Sequence, residues 1–440
     1  MNKKIGFISL GCSKNLVDTE IMIGLCQEAG FIIETEPELA EIIVINTCGF
    51  IDSAKEEAIE TILDTAKLKK SGMLKKIVVT GCLVQRYKED ILNEFPEVDC
   101  IIGIDEFPNI VNILNQERKY VVSGNQASYP ETSPRILSTP SYRAFLKISE
   151  GCNNKCTYCA IPSIRGPYRS RKIEDVLKEA ATLFNNGVKE LSVIAQDTTY
   201  YGYDLYGKNE LPYLLEKLSE IGFPWIRIFY TYAERIDDTL LEVIEKHDNI
   251  LPYLDIPIQH IDNSILRKMG RKDTRESILN LLNKLKKKIP VITLRTSLIV
   301  GFPGETEEAF ISLCEFVKLG LFDRIGVFKY SPEEGTPASR LPDQIDDETK
   351  ELRYNKLMEI ANTISQKACE KKIGTYQQVI CEGFEDLFYI GRSTGDGVDV
   401  DGLVYFTSKD EIAPGSIVKV KILAAEEYDL IGVVENEYTE

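Results

Sequence analysis

Hydrophobic positions along the chain fall into two rhythms and then a third. Through the first 120 or so residues, short runs rich in Ile and Val (KKIGFISLG, EIIVINT, KKIVVTG and VDCIIGI) alternate with helically spaced stretches such as Leu16 to Ala29 and Asp52 to Lys70. Apolar runs of strand length separated by amphipathic helices predict an α/β unit, a doubly wound parallel sheet covered on both faces. A second βα series runs from about Tyr142 to Gly335, with strand candidates RAFLKIS, ELSVIAQ, IRIFYTY, YLDIPIQ, TLRTSLIVG and RIGVFKYS. Such a series predicts a partial or full α/β barrel whose site lies at the C-terminal ends of the strands. The segment SPEEGTPASRLPDQ leaves the last strand, and an amphipathic helix follows from Asp346 to about Lys372. From Gly374 the pattern changes to short strands broken by Gly and Asp: QQVICEGF, LFYIGRST, LVYFTS, IVKVKILAA and LIGVVENE. These predict a small all-β barrel resembling an oligonucleotide/oligosaccharide-binding fold. Ser123 to Ser141 is rich in Ser, Thr and Pro and has no periodicity, which marks a linker. The divisions expected are therefore 1–122, a linker at 123–141, 142–370 and 371–440.

Composition narrows the classes. The 440 residues are 43% hydrophobic and 28% charged, as in a soluble globular protein, and no apolar run is long enough to span a membrane. The apolar part of MNKKIGFISLGCSKN is too short for a signal peptide and lacks a small-residue cleavage site, so a cytoplasmic chain is expected. Eleven cysteines in a reducing compartment suggest metal or redox chemistry rather than disulfides. The net charge of −17 disfavours a general nucleic-acid binder and leaves room for a basic protein partner.

Six of the cysteines form two sets of three. Cys152, Cys156 and Cys159 make a tight C-x3-C-x2-C directly after the strand RAFLKIS. Asn153 and Asn154 suit tight turns there, and Gly151 is expected to let the backbone approach a cluster. A zinc knuckle would need a fourth Cys or His, and the chain has only two His, the nearer being His247. Cys12, Cys48 and Cys82 lie far apart, but each ends a hydrophobic strand (FISLGC, VINTC, VVTGC), about one βα unit from the next. Strand ends separated by whole βα units leave a parallel sheet at the same edge, so the three thiols converge on one crevice. The plainer reading, three small buried hydrophobes, does not account for the repetition. Asn15, Asn46 and Thr47 are candidates for hydrogen bonds around these sulfurs. Three thiolates on a four-iron cluster leave one iron open, which points to catalysis rather than electron storage. Cys26, Cys100, Cys314, Cys369 and Cys381 show no such pattern and read as packing residues.

Other positions suit a cofactor in the barrel mouth. Gln196 and Asp197 end the strand ELSVIAQ. The run TSLIVGFPGET, Thr296 to Thr306, ends another, with Gly301 and Gly304 placed to admit a ligand near the backbone and Glu305 to cap the next helix. Ordinary βα turns would give the same pattern. His260 ends the strand DIPIQH and either faces the site or makes structural hydrogen bonds.

The C-x3-C-x2-C run opening a βα barrel resembles the radical S-adenosylmethionine superfamily. That resemblance implies that the open iron chelates the amino and carboxylate groups of S-adenosylmethionine, that one electron cleaves it to a 5′-deoxyadenosyl radical, and that Tyr158 lies by the adenine. With a cluster domain before it and a small barrel after it, nearly the whole chain resembles the methylthiotransferases, in order. The resemblance implies a second 4Fe-4S cluster on Cys12, Cys48 and Cys82 whose open iron carries the sulfur, and a terminal TRAM domain that docks the substrate. One branch of the family modifies tRNA adenosines; another modifies an aspartate of small-subunit ribosomal protein twelve. SLGCSKN, SEGCNNKCTYCAIPSIRG, AQDTTYYG and DIPIQH resemble the second branch, whereas Thr231 to Ala233 departs from it in lacking proline. For that branch the resemblance implies two molecules of S-adenosylmethionine per turnover, hydrogen abstraction from the aspartate β-carbon, a flavodoxin or ferredoxin electron donor, and a protein substrate met on the ribosome rather than tRNA.

Charge bears on the choice of branch. From Lys371 onward there are six basic and fourteen acidic side chains, a net −8. A tRNA-docking barrel should be basic, because phosphate contacts supply most of the affinity. An acidic one repels tRNA and attracts a basic ribosomal protein, unless the charge serves only solubility.

Overall fold

The computed structural model describes residues 3–116, 120–121 and 134–434. Most of the expected linker, residues 123–133, lies outside these. The first sheet is built from β1 (Lys4–Ser9), β2 (Ile32–Ile33), β3 (Ile42–Thr47), β4 (Lys76–Gly81), β5 (Cys100–Ile102) and β6 (Tyr120–Val121). Its strands are all parallel, in the order β2-β1-β3-β4-β5-β6. All six residues of β3 are buried, as a central strand covered on both faces requires. One face packs on the helix Ser13–Glu28 through Val17, Ile21 and Met22; the other packs on the helix Asp52–Leu68 through Ala58 and Ile62. The two-residue strands β2 and β6 carry too little pattern to be seen in the sequence.

The second sheet begins with β7 (Arg143–Lys147). A small antiparallel pair, β8 (Ser149–Glu150) and β9 (Arg169–Ser170), then staples the ends of the cysteine loop together. β10 (Glu190–Ile194), β11 (Trp225–Ile228), β12 (Ile250–Asp255), β13 (Thr293–Val300) and β14 (Arg324–Lys329) complete a parallel sheet of order β14-β13-β12-β11-β10-β7. Its two edges do not pair, so this is a partial α/β barrel. Side chains alternate along the strands. Ala144, Leu146 and Val193 join the core under the outer helices, whereas Phe145 and Ile194 turn into the barrel with Phe229 and Tyr253.

A 24-residue helix, Asp347–Glu370, leads to the last domain. β15 (Tyr376–Glu385), β16 (Phe388–Ser393), β17 (Val404–Thr407), β18 (Ile417–Ala425) and β19 (Leu430–Val434) form a closed barrel of order β15-β16-β17-β19-β18 around Val379, Cys381, Val404, Phe406 and Val420. The β16–β17 connection reaches into the larger barrel. Arg227 Nη1 donates to the Thr394 carbonyl at 2.9 Å, and Tyr253 Oη donates to Asp401 Oδ2 at 2.7 Å. At the same seam Glu190 pairs with Arg392 and Arg227, Asp396 with Arg324, and Asp401 with Arg295. Part of the acidity of this domain is therefore spent on arginines of its neighbour, and the charge left to meet a partner is smaller than the sequence count. Among the described residues no helix is long and apolar enough to cross a membrane.

Candidate functional site

Register explains how three distant cysteines meet. Ser9 of β1 lies opposite Asn46 of β3, and Thr47 opposite Gly81 of β4. The residues that follow those strands therefore leave the sheet at one edge. β1 lies between β2 and β3, so Cys12 and Cys48 flank the point where the winding reverses, where α/β sheets open a crevice. Cys12 precedes the helix Ser13–Glu28, Cys48 follows β3, and Cys82 begins the helix Cys82–Tyr87. Gly11 has φ +85°, and a Cβ there would stand 2.6 Å from Cys48 Cβ and 2.9 Å from its sulfur. Only glycine allows that approach. Gly81, φ +99°, likewise leaves no room for a Cβ beside the Thr47 backbone.

Of the three polar residues expected around these sulfurs, one touches them. Cys82 Sγ lies 3.7 Å from Asn15 Oδ1, while Asn15 Nδ2 holds the Leu10 and Thr47 carbonyls at 3.1 and 3.0 Å. Asn46 and Thr47 instead brace the strand ends: Asn46 Nδ2 donates to the Asn15 carbonyl and Thr47 Oγ1 to the Thr80 carbonyl. Sequence reasoning missed Arg165, which comes from the barrel. It is 3% exposed, donates to Asn15 Oδ1 at 2.5 Å and to Glu150 Oε2 at 2.8 Å, and faces Asp18. Burial disfavours the Cys12 thiolate, but Lys14, Arg165 and the backbone N–H groups of Asn15 and Lys14 outweigh it and hold the thiol below its ordinary pKa. Burial pushes Cys82 up to about 12 against the pull of Arg165. Arg165 Nε and Ser13 Oγ are buried without a partner among the described residues. Two idle donors near three thiols fit an occupant that offers acceptors, as the sulfides of an iron–sulfur cluster do.

The second trio lies on the loop between β8 and β9. Asn154 N–H donates to Cys152 Sγ at 3.4 Å, Cys159 N–H to the Cys156 carbonyl at 3.2 Å, and Cys156 Sγ lies 3.5 Å from Tyr232 Oη. Burial raises Cys152 to about 11, and raises Cys159 further beside Cys156. Cations nearby are scarcer than at the first trio, and an iron with its positive charge would supply what these thiolates lack. Among the described residues no three His, Cys, Asp or Glu converge as a single metal ion requires. Thiolates on a cubane each hold a different iron and stand further apart.

The expected cofactor contacts divide. Tyr158 lies in the mouth, half-buried beside Met269, Phe302 and Tyr330, with Arg271 and Tyr232 near it. Gln196 is also half-buried there. Asp197, 1% exposed, has both oxygens engaged: Oδ2 accepts from Asn154 at 2.7 Å and Arg235 at 2.6 Å, and Oδ1 from Thr199 at 2.6 Å. It anchors the cysteine loop rather than offering itself to a ligand. Thr296 is fully buried and bonded to the Ile256 carbonyl at 2.8 Å, so it ties β13 to β12. Gly301, φ +72°, gives its N–H to Glu305 and packs against the Lys350 stem, so its missing Cβ serves packing rather than ligand entry. Gly304 is pressed by Lys268. Gly151, φ +74°, is required by the backbone alone, since the Pro167 and Gly166 carbonyl oxygens stand 2.1 and 2.6 Å from where its Cβ would be. Thr306, not Glu305, caps the helix Glu307–Lys318, accepting from the Ala309 N–H at 3.2 Å. Buried Glu305 instead meets Arg353 and His260, which settles His260 as structural. The other five cysteines are buried packing residues.

A cavity of about 420 Å³ opens beside Cys12. Gly11, Cys12 and Ser13 form one wall; Phe145, Ile194, Phe229 and Tyr230 of the larger barrel form the next; Val398 to Val400 of the β16–β17 connection close it. All three domains thus bound one chamber.

Comparison with known proteins accords with this layout. Residues 146–317 match the family model described as the radical SAM superfamily, residues 4–103 an uncharacterized family, UPF0004, and residues 373–434 the TRAM domain. A protein of Clostridioides difficile (strain 630) named ribosomal protein uS12 methylthiotransferase RimO is 53% identical over 437 residues, 98% of each chain. Proteins of the same name from Acetivibrio thermocellus and Caldicellulosiruptor saccharolyticus are 48% and 49% identical, over 99% and 98% of this chain and 99% of each relative. In fold, the chain is similar to the radical S-adenosylmethionine methyltransferase TsrM of Kitasatospora setae (TM-score 0.56, 13% identity, 77% of each chain). It is also similar to the cobalamin-dependent radical enzyme OxsB (TM-score 0.50, 15% identity, 82% of this chain and 56% of that one).

Proposed function

The chain belongs to the family of ribosomal protein uS12 methylthiotransferases named RimO, and on that premise we propose that it transfers a methylthio group to the β-carbon of an aspartate side chain in uS12. It is a transferase of the radical S-adenosylmethionine class whose cofactors are two 4Fe-4S clusters and S-adenosylmethionine. We assign Cys152, Cys156 and Cys159 to the cluster that meets S-adenosylmethionine, and Cys12, Cys48 and Cys82 to the cluster that holds the sulfur. When bound, these groups supply a carbon-centred radical and a transferable methylthio group.

The chain's own residues do the rest. Asp197 fixes Asn154 and Arg235, and with them the loop that carries Cys152. Arg271 lies over the face of Tyr232, 3.7 Å from its centroid, and keeps a cation beside Tyr158 and Cys156. Arg165 ties the barrel to the strand ends that carry the first trio. Phe145, Ile194 and Phe229 give the chamber an apolar wall, which keeps water out and strengthens the polar contacts inside it.

The observation that carries this reading is the chamber itself, which has Cys12 on one wall and the ends of the barrel strands on the next. A uS12 loop entering it would lie beside Cys12 and against the barrel residues Phe145, Ile194 and Phe229. We further propose that the partner is met on the ribosome, that a flavodoxin or ferredoxin supplies electrons, and that the protein works in the cytoplasm, where eleven unpaired cysteines stay reduced. The test is reconstituted enzyme, reductant and S-adenosylmethionine offered uS12 and, separately, tRNA. A methylthio group on uS12 alone supports the proposal; modification of tRNA adenosine with uS12 unchanged refutes it.

A further inference from the structure

Lys14 is 6% exposed, yet among the described residues no carboxylate or carbonyl lies within hydrogen-bond distance of its ammonium. Its recorded partner is the ring of Tyr230, whose centroid lies 3.4 Å from Nζ. The other buried cations nearby are all matched: Lys147 pairs with Asp18 and Glu150, and Arg165 with the same two carboxylates. The Cys12 thiolate draws on the same ammonium, but no carboxylate does, and a cation–π contact offsets only part of the cost of burying the charge. Lys14 also sits two residues from Cys12, and Ser13 and Tyr230 beside it line the three-domain chamber.

Tyr230 stands in a strained backbone conformation. Its φ is +59°, a left-handed conformation that a bulky L-residue rarely adopts. The strain is pinned from both sides. Asp255 Oδ2 accepts its N–H at 3.2 Å, and its carbonyl accepts from the Thr198 N–H at 3.0 Å. Strain that the surroundings over-determine in this way clusters at ligand sites. Here it lays the ring under the Lys14 ammonium at the chamber wall.

We propose that Lys14 receives the carboxylate of the substrate aspartate, supplying the carboxylate partner that it lacks among the described residues and holding that side chain beside Cys12. The inference rests on uS12 being the substrate, and it names the group that reads the acid. A carboxylate would complete the ammonium's hydrogen bonds in a low-dielectric chamber, where a charge-assisted bond is strong. A neutral amide of the same shape could accept one hydrogen bond through its oxygen but would bring no opposite charge. Discrimination between aspartate and asparagine should therefore depend on this one side chain.

The test uses reconstituted enzyme with its iron content verified, and uS12 carrying either the target aspartate or asparagine in its place. Affinity is read by fluorescence anisotropy of labelled uS12, and turnover by mass spectrometry. Wild-type enzyme should prefer the aspartate form by about 30-fold or more, the range expected when one partner of a buried charge pair is removed. Lys14→Met should bring the two forms to near equality, and Lys14→Arg should keep the preference. A Lys14→Met enzyme with full iron that retains the wild-type ratio overturns the assignment, because a lysine that merely glues Tyr230 in place would not set it. If the wild type methylthiolates tRNA and not uS12, the reading of the substrate fails first and takes this inference with it.

Discussion

Replacing Arg165 by methionine removes a buried guanidinium from the seam between the first domain and the barrel. Its Nη atoms serve Asn15, Glu150 and Asp18, at 2.5, 2.8 and 3.3 Å. Without it Asp18 and Glu150 share only Lys147, so two buried carboxylates face one cation. Burial works against the Glu150 carboxylate, but Arg165 and Lys147 hold its pKa far below the usual range, so the arginine is a large part of what keeps it charged. Breaking one partner out of a buried ionic group costs about 3–5 kcal/mol. That is a large fraction of the stability of an ordinary domain. Guanidinium unfolding of the metal-free protein, followed by the fluorescence of its single tryptophan, Trp225 in β11, should show an earlier transition. Reconstituted Arg165→Met should hold less iron at the Cys12/Cys48/Cys82 site. Whatever cluster remains should be harder to reduce, by ~60 mV for each 1.4 kcal/mol of lost charge stabilisation in a one-electron couple. Arg165→Lys should recover part of both effects. An Arg165→Met protein that unfolds at the wild-type midpoint, binds full iron and keeps its potential would refute the role given to this residue.

Alanine in place of Cys152, Cys156 or Cys159 should abolish reductive cleavage of S-adenosylmethionine, measured as 5′-deoxyadenosine. Alanine in place of Cys12, Cys48 or Cys82 should leave uncoupled cleavage without sulfur transfer. Gly301→Ala forces a methyl against the Lys350 stem at φ +72°, and should cost about 1–3 kcal/mol in thermal unfolding without changing the affinity for S-adenosylmethionine; a specific loss of that affinity would restore the ligand role read from the sequence. Burial opposes the Asp396 carboxylate, but Arg324 and Lys372 hold its pKa down to about 2, below an ordinary aspartate. A depressed carboxyl stabilises above its unfolded pKa, so Asp396 should secure the TRAM domain fully above about pH 4 and lose hold as pH falls toward 2. Limited proteolysis across that window should show the metal-free wild type loosening where Asp396→Asn is already loose.

Much of this was legible in the chain because buried parallel strands write apolar runs, as β1, β3 and β4 did, whereas barrel strands such as β13, which is buried at alternate positions, were legible from the βα rhythm around them. The cysteine trios were legible for different reasons: one is compact, and the other repeats at the βα period, which register converts into proximity. Thr296, Gly301 and Glu305 were not, since a strand-end glycine that admits a ligand and one that admits a lysine stem look alike in sequence. Arg165 and Lys14 were invisible as functional residues because their meaning lies in partners from other domains. A lysine after a cysteine carries no signal until Tyr230 is seen beneath it with no carboxylate paired to it among the described residues.

Mass spectrometry of ribosomal proteins and tRNA from cells that lack this gene identifies the recipient of the methylthio group. In those cells uS12 should lack a methylthio group on one aspartate while tRNA adenosine modification is unchanged. Intact methylthio-aspartate in uS12 together with lost methylthio-adenosine would contradict it.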